Sequence, residues 1–310
     1  MAVLIAALIL AALALAVLYA VWALAFRSTA RQRRKYSAMP EGEQYYVNRD
    51  FMLSLIDEMR GLEYEDVEIK SFDGLTLHGR WYQLREGAPV QIEMHGYRGE
   101  AVRDFCGGNK LSRSMGMNTL VVDQRAHGES GGSCISFGVK ERFDCQSWAQ
   151  YAYLRCGPET PIYLAGVSMG AATVLMAADL QLPHTVRGII ADCPYTSPEA
   201  IIRKVVSQDL RLPAGPLMPL VRLSARLFGG FSLSGASAEK SVAETDIPIL
   251  LIHGEDDRFV PCDMSRELAA KCASPHELVT FPGAGHGLSY IVDPARYERA
   301  VRQFVGERGE

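Results

Sequence analysis

Cysteines are few and scattered in this 310-residue sequence: there are seven, an odd number, and no two of them form a C-x-x-C pair. Disulfide frameworks use even sets of cysteines, and zinc sites usually place their ligands at short, regular spacings. The sequence therefore predicts neither a disulfide framework nor a metal site. Isolated thiols also suit a reducing compartment.

Charge is absent from the stretch Ala2 to Phe26, which is built mainly from Ala, Leu, Val and Ile. As a helix, these residues would extend about 37 Å, more than the roughly 30 Å of a bilayer core. We therefore predict a tilted transmembrane anchor over residues 1–26. A cleaved signal peptide is the alternative, with Ala23-Leu24-Ala25 as a possible cleavage site, but no Lys or Arg precedes the apolar run.

Acidic residues are absent from the segment that follows, which begins a predicted basic linker over residues 27–47. Its cations are Arg27, Arg31, Arg33, Arg34 and Lys35. By the positive-inside rule they predict a membrane protein whose main domain lies in the cytoplasm, and they could also contact anionic lipid. The whole chain carries a net charge of −4, and the rest without these five carries −9. An acidic main domain argues against nucleic acid as the partner.

Strand patterns then recur at regular intervals, which predicts one α/β domain over residues 48–310. The first two strands flank the turn dipeptide Asp73-Gly74 and should be antiparallel. Six shorter apolar runs alternate with helical patterns, which predicts an eight-stranded, mostly parallel sheet with helices on both faces. Residues 198–241 interrupt the alternation with apolar helical patterns. This insertion is predicted to form a lid, and ordinary packing on the sheet edge is the alternative.

The sequence Gly166-Val167-Ser168-Met169-Gly170 lies between the fifth predicted strand and a helical pattern. At a strand-to-helix turn, G-x-S-x-G presents its serine on a sharp elbow, so Ser168 is the predicted nucleophile. A serine needs a base, and the base needs a carboxylate that orients it.

His286 follows the last predicted strand in a Gly-flanked loop and is the predicted base. Asp256 and Asp257 both follow the seventh strand, so strand placement does not choose between them as the orienting acid. Asp192, after the sixth strand, is a third candidate. The order serine, acid, histidine is the one this elbow architecture uses.

The oxyanion hole of this architecture combines the N–H of the residue after the nucleophile with an N–H from the loop after the third strand. These positions correspond to Met169 and Tyr97. His95, at the end of that strand, is expected to be structural.

Together these motifs resemble the α/β-hydrolase superfamily over nearly all of residues 65–305, and the arrangement is similar to bacterial, N-terminally anchored α/β hydrolases without a defined substrate. The resemblance places the acid on Asp257, fifth in His-Gly-x-x-Asp. It also implies that Asp123, Arg125 and His127 shape the site, with Ala126 standing where the family usually has Gly. The matching pieces are Phe72-Asp73-Gly74, His95-Gly96, residues 123–130, the elbow, residues 253–257 with Val260-Pro261, and residues 282–286.

The predicted activity is acyl transfer to water from a small-molecule ester or related acyl compound, without a cofactor or a metal. A nucleophilic Ser, where dehalogenases and epoxide hydrolases have Asp, excludes those two chemistries. A serine peptidase and a non-catalytic binding protein on the same scaffold are the alternatives. Glu93, an acid inside a predicted buried strand, has no explanation in the sequence.

Overall fold

A computed structural model describes residues 1–29, 32, 33, 35 and 42–306. One eight-stranded sheet runs in the order β1-β2-β4-β3-β5-β6-β7-β8. Strand β2 is antiparallel to both of its neighbours, and the other adjacent strands are parallel. The strands are β1 (Glu65–Lys70), β2 (Thr76–Tyr82), β3 (Val90–Met94), β4 (Asn118–Val122), β5 (Ile162–Val167), β6 (Val186–Asp192), β7 (Ile249–Gly254) and β8 (His276–Phe281).

The central strands are apolar because both faces of the sheet are covered. All residues of β3, β4 and β7 are buried, and one large apolar cluster lies on each side of the sheet. The first two strands form the expected hairpin, with Gly74 at φ 85° in its turn, a conformation that glycine adopts without steric cost. The predicted eight-stranded, mostly parallel sheet is confirmed.

Helices flank the sheet and join its strands. They are α1 (Ala2–Ala25), α2 (Glu43–Val47), α3 (Arg49–Arg60), α4 (Ala101–Ser114), α5 (Glu141–Cys156), α6 (Met169–Ala177), α7 (Pro198–Lys204), α8 (Ala214–Ser224), α9 (Ala238–Val242), α10 (Asp263–Lys271), α11 (Ser289–Val292) and α12 (Pro294–Gly306). Two π-helical turns, Val205–Asp209 and Ala225–Gly229, follow α7 and α8.

Helix α1 is long and apolar enough to cross a membrane, a test that a signal sequence also passes. Its residues up to Val17 are exposed, whereas Leu18 and Trp22 are buried. Phe26, directly after the helix, is fully buried, and its carbonyl accepts a hydrogen bond from the Ile135 N–H at 2.7 Å. The end of the predicted anchor is therefore also part of the core of the main domain. Arg31 and Arg34 of the basic cluster lie outside the described residues.

Candidate active site

Ser168 lies on the tight turn between β5 and α6, with φ 55° and ψ −115°. Left-handed φ values are costly for residues other than glycine, so the surrounding structure must hold this turn in place. Gly166 and Gly170 allow the backbone to form this turn. A Cβ on Gly170 would lie 1.8 Å from the Met94 carbonyl oxygen, and one on Gly166 would lie 2.3 Å from Gly170 itself. The motif thus needs glycine because backbone segments meet there.

The structure brings Ser168, His286 and Asp257 into one hydrogen-bonded chain. His286 Nε2 lies 2.9 Å from Ser168 Oγ, and His286 Nδ1 lies 2.7 Å from Asp257 Oδ2. In the tautomer that fits both contacts, Nδ1–H donates to the carboxylate and Nε2 accepts from the serine hydroxyl. Phe259 packs edge-on to the imidazole, with ring centroids 5.0 Å apart.

Asp257 is held in its ionised form. Its Oδ1 accepts the N–H groups of Phe259 and Val260 at 2.9 and 2.8 Å. Burial alone would raise the pKa of this carboxyl, but interactions with His253 and His286 outweigh it and hold the pKa well below its usual range. An acid that stays charged can orient the imidazole and stabilise an imidazolium.

The other two candidate acids lie elsewhere. Asp256 is exposed in the same turn. Asp192 is buried at the end of β6, where its Oδ1 accepts a 3.3 Å hydrogen bond from Ser289 Oγ, and burial raises its pKa to about 6. Asp257 is the candidate that the fold brings into contact with His286.

The two predicted oxyanion positions flank Ser168. Met169 is the first residue of α6, so its N–H has no acceptor within the helix. Tyr97 lines the cavity at Ser168, and a Cβ on the preceding Gly96 would lie 3.5 Å from Ser168 Cβ. The Tyr97 side chain points towards the N-terminal helix, where its hydroxyl donates to the Ala25 carbonyl at 2.7 Å.

The loop after β4 is organised by buried polar contacts. Arg125 binds Asp144 through two hydrogen bonds of 2.6 and 2.7 Å and also contacts Asp73 at 2.9 Å. His127 accepts the Arg98 N–H through Nε2 at 3.0 Å and contacts the Arg125 carbonyl through Nδ1. Both imidazole nitrogens are thus engaged with the main chain, which leaves His127 a structural contact in this geometry.

Two further expectations concern this part of the fold. His95 is buried, and its nitrogens contact the Gly96 carbonyl at 2.8 Å and the Gln124 N–H at 3.1 Å, which is a structural arrangement.

Ala126, where the resemblance leads one to expect Gly, is buried at φ 62°. Alanine therefore occupies the left-handed conformation that favours glycine.

Glu93 is fully buried in β3. It accepts a 3.1 Å hydrogen bond from Gln91 Nε2, and burial raises its pKa to about 8. Three nearby oxygens, Glu93 Oε2, Gln91 Oε1 and Asn109 Oδ1, have no hydrogen-bond partner among the described residues. A protonated Glu93 could donate to one of the other two, whereas an ionised one cannot. The acid is therefore best accommodated in the neutral form.

Cys193, Asp257 and His286 place potential metal-ligand atoms within 4.8 Å of one another. Burial raises the pKa of the Cys193 thiol well above its usual value, and the ligand form of cysteine is the thiolate. His286 and Asp257 are already bonded to each other through the atoms that would face such an ion. This donor set is poorly suited to a metal.

A cavity of about 920 Å³ opens at Ser168. The loop after β3 and helix α4 form one wall, the segment after His286 forms another, and the N-terminal segment contributes Lys35, Gln44, Tyr45 and Met52. None of its described lining residues comes from the insertion 198–241. The structure therefore corrects the predicted lid: helix α8 and the π-helical turn Ala225–Gly229 of the insertion pack on α1 instead.

The insertion lies one layer away from the cavity. Lys204 Nζ donates to the Arg258 carbonyl at 2.6 Å and lies 5.5 Å from the centroid of the Phe259 ring, which itself lines the cavity.

Helix α2 is the element that covers the candidate base. The Tyr45 hydroxyl donates to the His286 carbonyl at 3.0 Å, and a Cβ on Gly285 would lie 1.8 Å from Gln44 Oε1. Sequence reasoning missed both residues because it treated residues 27–47 as a linker. The spacing of Met52, Leu55, Ile56 and Met59, all buried, could have indicated that this region packs on the domain.

Two family models match the chain in overlapping stretches. One is described as alpha/beta hydrolase fold and matches residues 94–217; the other is described as serine aminopeptidase, S33, and matches residues 197–290. The chain has the α/β-hydrolase fold, and the two matched stretches together span residues 94–290. The sheet order, the elbow at Ser168 and the positions of the loops described above are consistent with these matches.

Curated relatives of this chain include the uncharacterized protein YqkD of Bacillus subtilis, which is 29% identical over 63% of this chain and 64% of its own. The lysophosphatidylserine lipase ABHD12 of Danio rerio is 27% identical over 68% of this chain and 53% of its own. The chain thus spans less than two thirds of either relative.

Two solved hydrolases share the fold. The esterase Pf2001 of Pyrococcus furiosus has a TM-score of 0.65 and 23% identity, covering 81% of this chain and 93% of its own. Est1E of Butyrivibrio proteoclasticus, solved with ferulic acid bound, has a TM-score of 0.59 and 23% identity over 78% of this chain and 98% of its own.

Proposed function

We propose that this chain is a serine hydrolase that cleaves a carboxylic ester, or a related acyl bond, through an acyl-enzyme intermediate. The observation that carries the proposal is the continuous hydrogen-bonded chain from Ser168 through His286 to Asp257 at the floor of an open cavity. Each of these side chains leaves the carboxyl end of a strand, so a rigid sheet holds the reacting groups.

In the proposed reaction, Ser168 Oγ attacks the substrate carbonyl while His286 Nε2 takes the hydroxyl proton. Asp257 stabilises the resulting imidazolium. The tetrahedral intermediate collapses, the C–O bond to the leaving group breaks, and His286 returns the proton to the leaving oxygen. Water then attacks the acyl-enzyme with His286 again acting as base, which releases the carboxylic acid and restores Ser168.

We assign the oxyanion hole to the N–H groups of Met169 and Tyr97. Negative charge develops on the carbonyl oxygen in the transition state, and fixed N–H donors stabilise it there more than in the ground state. The N-terminus of α6 adds its dipole to this position.

The proposed substrate carries an apolar acyl group. Met52, Phe105, Tyr290 and Ile291 contribute apolar surface to the cavity, which is large enough for a medium-sized ligand. The esterase and lipase names of the similar proteins point in the same direction.

We further propose that α1 anchors the chain in a membrane with the catalytic domain on the cytoplasmic side, because an uncharged helix is followed by a basic cluster. A reporter fused after Glu310 tests the topology. Alkaline phosphatase activity at that fusion would reverse it.

A serine peptidase is the second candidate. The match of residues 197–290 to the family described as serine aminopeptidase favours it, and the proposed chemistry attacks amides as well as esters. Release of p-nitroaniline from aminoacyl anilides, beside release of p-nitrophenol from matched esters, separates the two.

Labelling with a fluorophosphonate probe tests the proposal directly. Wild-type chain should become labelled and should hydrolyse a short p-nitrophenyl ester, whereas Ser168→Ala should lose labelling and at least about 10⁴-fold in kcat, because it lacks the nucleophile. Ser147→Ala, at a part-exposed serine on α5, is the matched control. An unlabelled wild-type chain would favour a non-catalytic binding protein.

A further inference from the structure

Outside α1, four of the six exposed leucines among the described residues lie on the insertion 198–241. Leu223 and Leu227 expose 44% and 55% of their surface, and Leu210 and Leu212 expose 58% and 47%. Arg226, beside them, is also exposed. Leucines on one side with arginines at the margin are typical of elements that lie in a membrane interface.

The position of these leucines relative to α1 can be read from ring contacts. Phe228, directly after Leu227, lies with its ring centroid 5.5 Å from that of Tyr19 and 6.1 Å from that of Trp22. Helix α8 and the π-helical turn Ala225–Gly229 both pack on α1. Leu223 and Leu227 therefore lie at the level of the last turns of α1.

The length of α1 indicates how deep its last turns would lie in a bilayer. The part of α1 that is exposed throughout, Ala2–Val17, is about 24 Å long at about 1.5 Å per residue. A hydrocarbon core is about 30 Å thick, so a spanning α1 must immerse roughly four more residues. These begin at Leu18, where the insertion packs.

Aromatic and basic groups mark the same level. Tyr19, which is 41% exposed, is of a residue type enriched at membrane interfaces. Arg27 Nη1 donates to the Tyr19 hydroxyl at 2.6 Å, which places a cation at the depth of lipid headgroups. A bilayer that contains α1 as far as Tyr19 would thus also meet the exposed leucines of the insertion.

We propose that the insertion is a membrane-binding surface: Leu223 and Leu227 seat in the boundary between headgroups and acyl chains beside α1, and Arg226 meets anionic headgroups. The insertion would then fix the orientation of the domain on the bilayer, where a flexible tether would leave it free. This inference rests on the proposed anchoring by α1 and is independent of the proposed hydrolysis.

Brominated-lipid quenching tests the proposal with the full chain in vesicles of phosphatidylcholine and phosphatidylglycerol. Leu227→Trp adds a fourth tryptophan to the three native ones, and Leu154→Trp, at a leucine 73% exposed on α5, is the matched control. After subtraction of wild-type emission, bromine in the acyl chains should remove about half or more of the signal added by Leu227→Trp, since interfacial side chains reach about 5–10 Å into the boundary. The Leu154→Trp signal should persist.

Each other outcome overturns the proposal in a recognisable way. Equal persistence of both added signals would place Leu227 in water. A blue-shifted but unquenched Leu227→Trp signal, with a doubled particle mass in detergent, would assign the surface to a second copy of the chain. If the wild-type chain does not float with the vesicles, the anchor itself is wrong, and this proposal falls with it. None of these results depends on whether the chain hydrolyses esters.

Discussion

The two sides of the cavity at Ser168 are built by different means. On one side, Ser168, Asp257 and His286 follow the parallel strands β5, β7 and β8, and the hydrogen bonds of the sheet fix where each of these strands ends. On the other side, residues 42–60 of the N-terminal segment form short helices that are held mainly by side-chain contacts, such as the one from Tyr45 to the His286 carbonyl. The proposed reacting groups thus follow rigid strands, whereas the helix that covers them is held less rigidly.

This difference suggests a division of labour. A sheet edge that holds reacting atoms within a few tenths of an ångström suits chemistry, whereas a short helix with few buried contacts can open at low cost in free energy. In this molecule the covering helix also lies close to the anchor along the chain. Access to the candidate site and the proposed attachment to a membrane therefore both involve this N-terminal segment.

The sharpest test of the sheet side is Asp257→Asn. Asparagine keeps the shape but removes the charge that orients His286, so kcat for a short ester should fall about 10⁴-fold. Asp256→Asn, in the exposed neighbour, should leave kcat near the wild-type value. Circular dichroism confirms that the variants are folded. A near-normal Asp257→Asn beside a crippled Asp192→Asn would move the acid to β6.

On the N-terminal side, Phe26→Ala tests whether the end of α1 belongs to the domain. Phe26 is fully buried, with its ring edge-on to Phe137 and Phe231 at 5.8 and 5.3 Å. Truncation of such a side chain costs about 3–5 kcal/mol of the free energy of unfolding, which should lower Tm by roughly 6–20 °C in a domain of this size.

Leu10→Ala is the control for that experiment, because Leu10 lies on the free part of α1 and is 67% exposed. Its Tm in the same detergent should stay within about a degree of wild type, as expected for a substitution without buried contacts. Equal Tm values for the two variants would mean that α1 is only a tether.

Sequence patterns predict the residues that follow the strands of the sheet well, and they predict the N-terminal wall of the cavity poorly. The difference has a physical reason. Ser168 lies in a motif whose glycines are required by backbone contact, and strand order then fixes where His286 and Asp257 emerge. Tyr45 lies in a five-residue helix with no motif, and only the three-dimensional fold brings it to His286. The prediction of a lid over residues 198–241 was wrong for the same reason. An apolar helical pattern shows that a helix packs on something, but it does not identify the surface that the helix packs on.

Glu93, in strand β3, allows the sheet side to be tested through the pH dependence of the free energy of unfolding. Its pKa is raised from an ordinary 4.5 to about 8, so above pH 4.5 the unfolded chain loses a proton that the folded chain keeps. The free energy of unfolding should therefore fall as pH rises through this window, by up to about 1.4 kcal/mol per pH unit from this group. Glu93→Gln cannot ionise and should flatten the decline.

Urea midpoints of wild type and Glu93→Gln at pH 5, 6, 7 and 8 provide the measurement. Glu277→Gln, at an exposed glutamate on β8, is the control and should run parallel to wild type. Parallel curves for Glu93→Gln as well would mean that Glu93 is already ionised in the folded chain, with a partner for its second oxygen.

The smallest expected effect belongs to Tyr45→Phe, which removes only the hydroxyl that donates to the His286 carbonyl. Burial raises the pKa of Tyr45 well above its usual value, so the hydroxyl stays protonated and remains a donor over the working pH range. One hydrogen bond of this kind contributes about 0.5–1.5 kcal/mol. If it positions the imidazole against Ser168, kcat should fall about 2- to 10-fold with KM nearly unchanged. Tyr46→Phe is the matched control, since Tyr46 is adjacent on α2 and 56% exposed. A merely structural role would lower Tm without moving kcat of the folded enzyme, and identical kinetics for both variants would leave α2 as a cover without influence on the base.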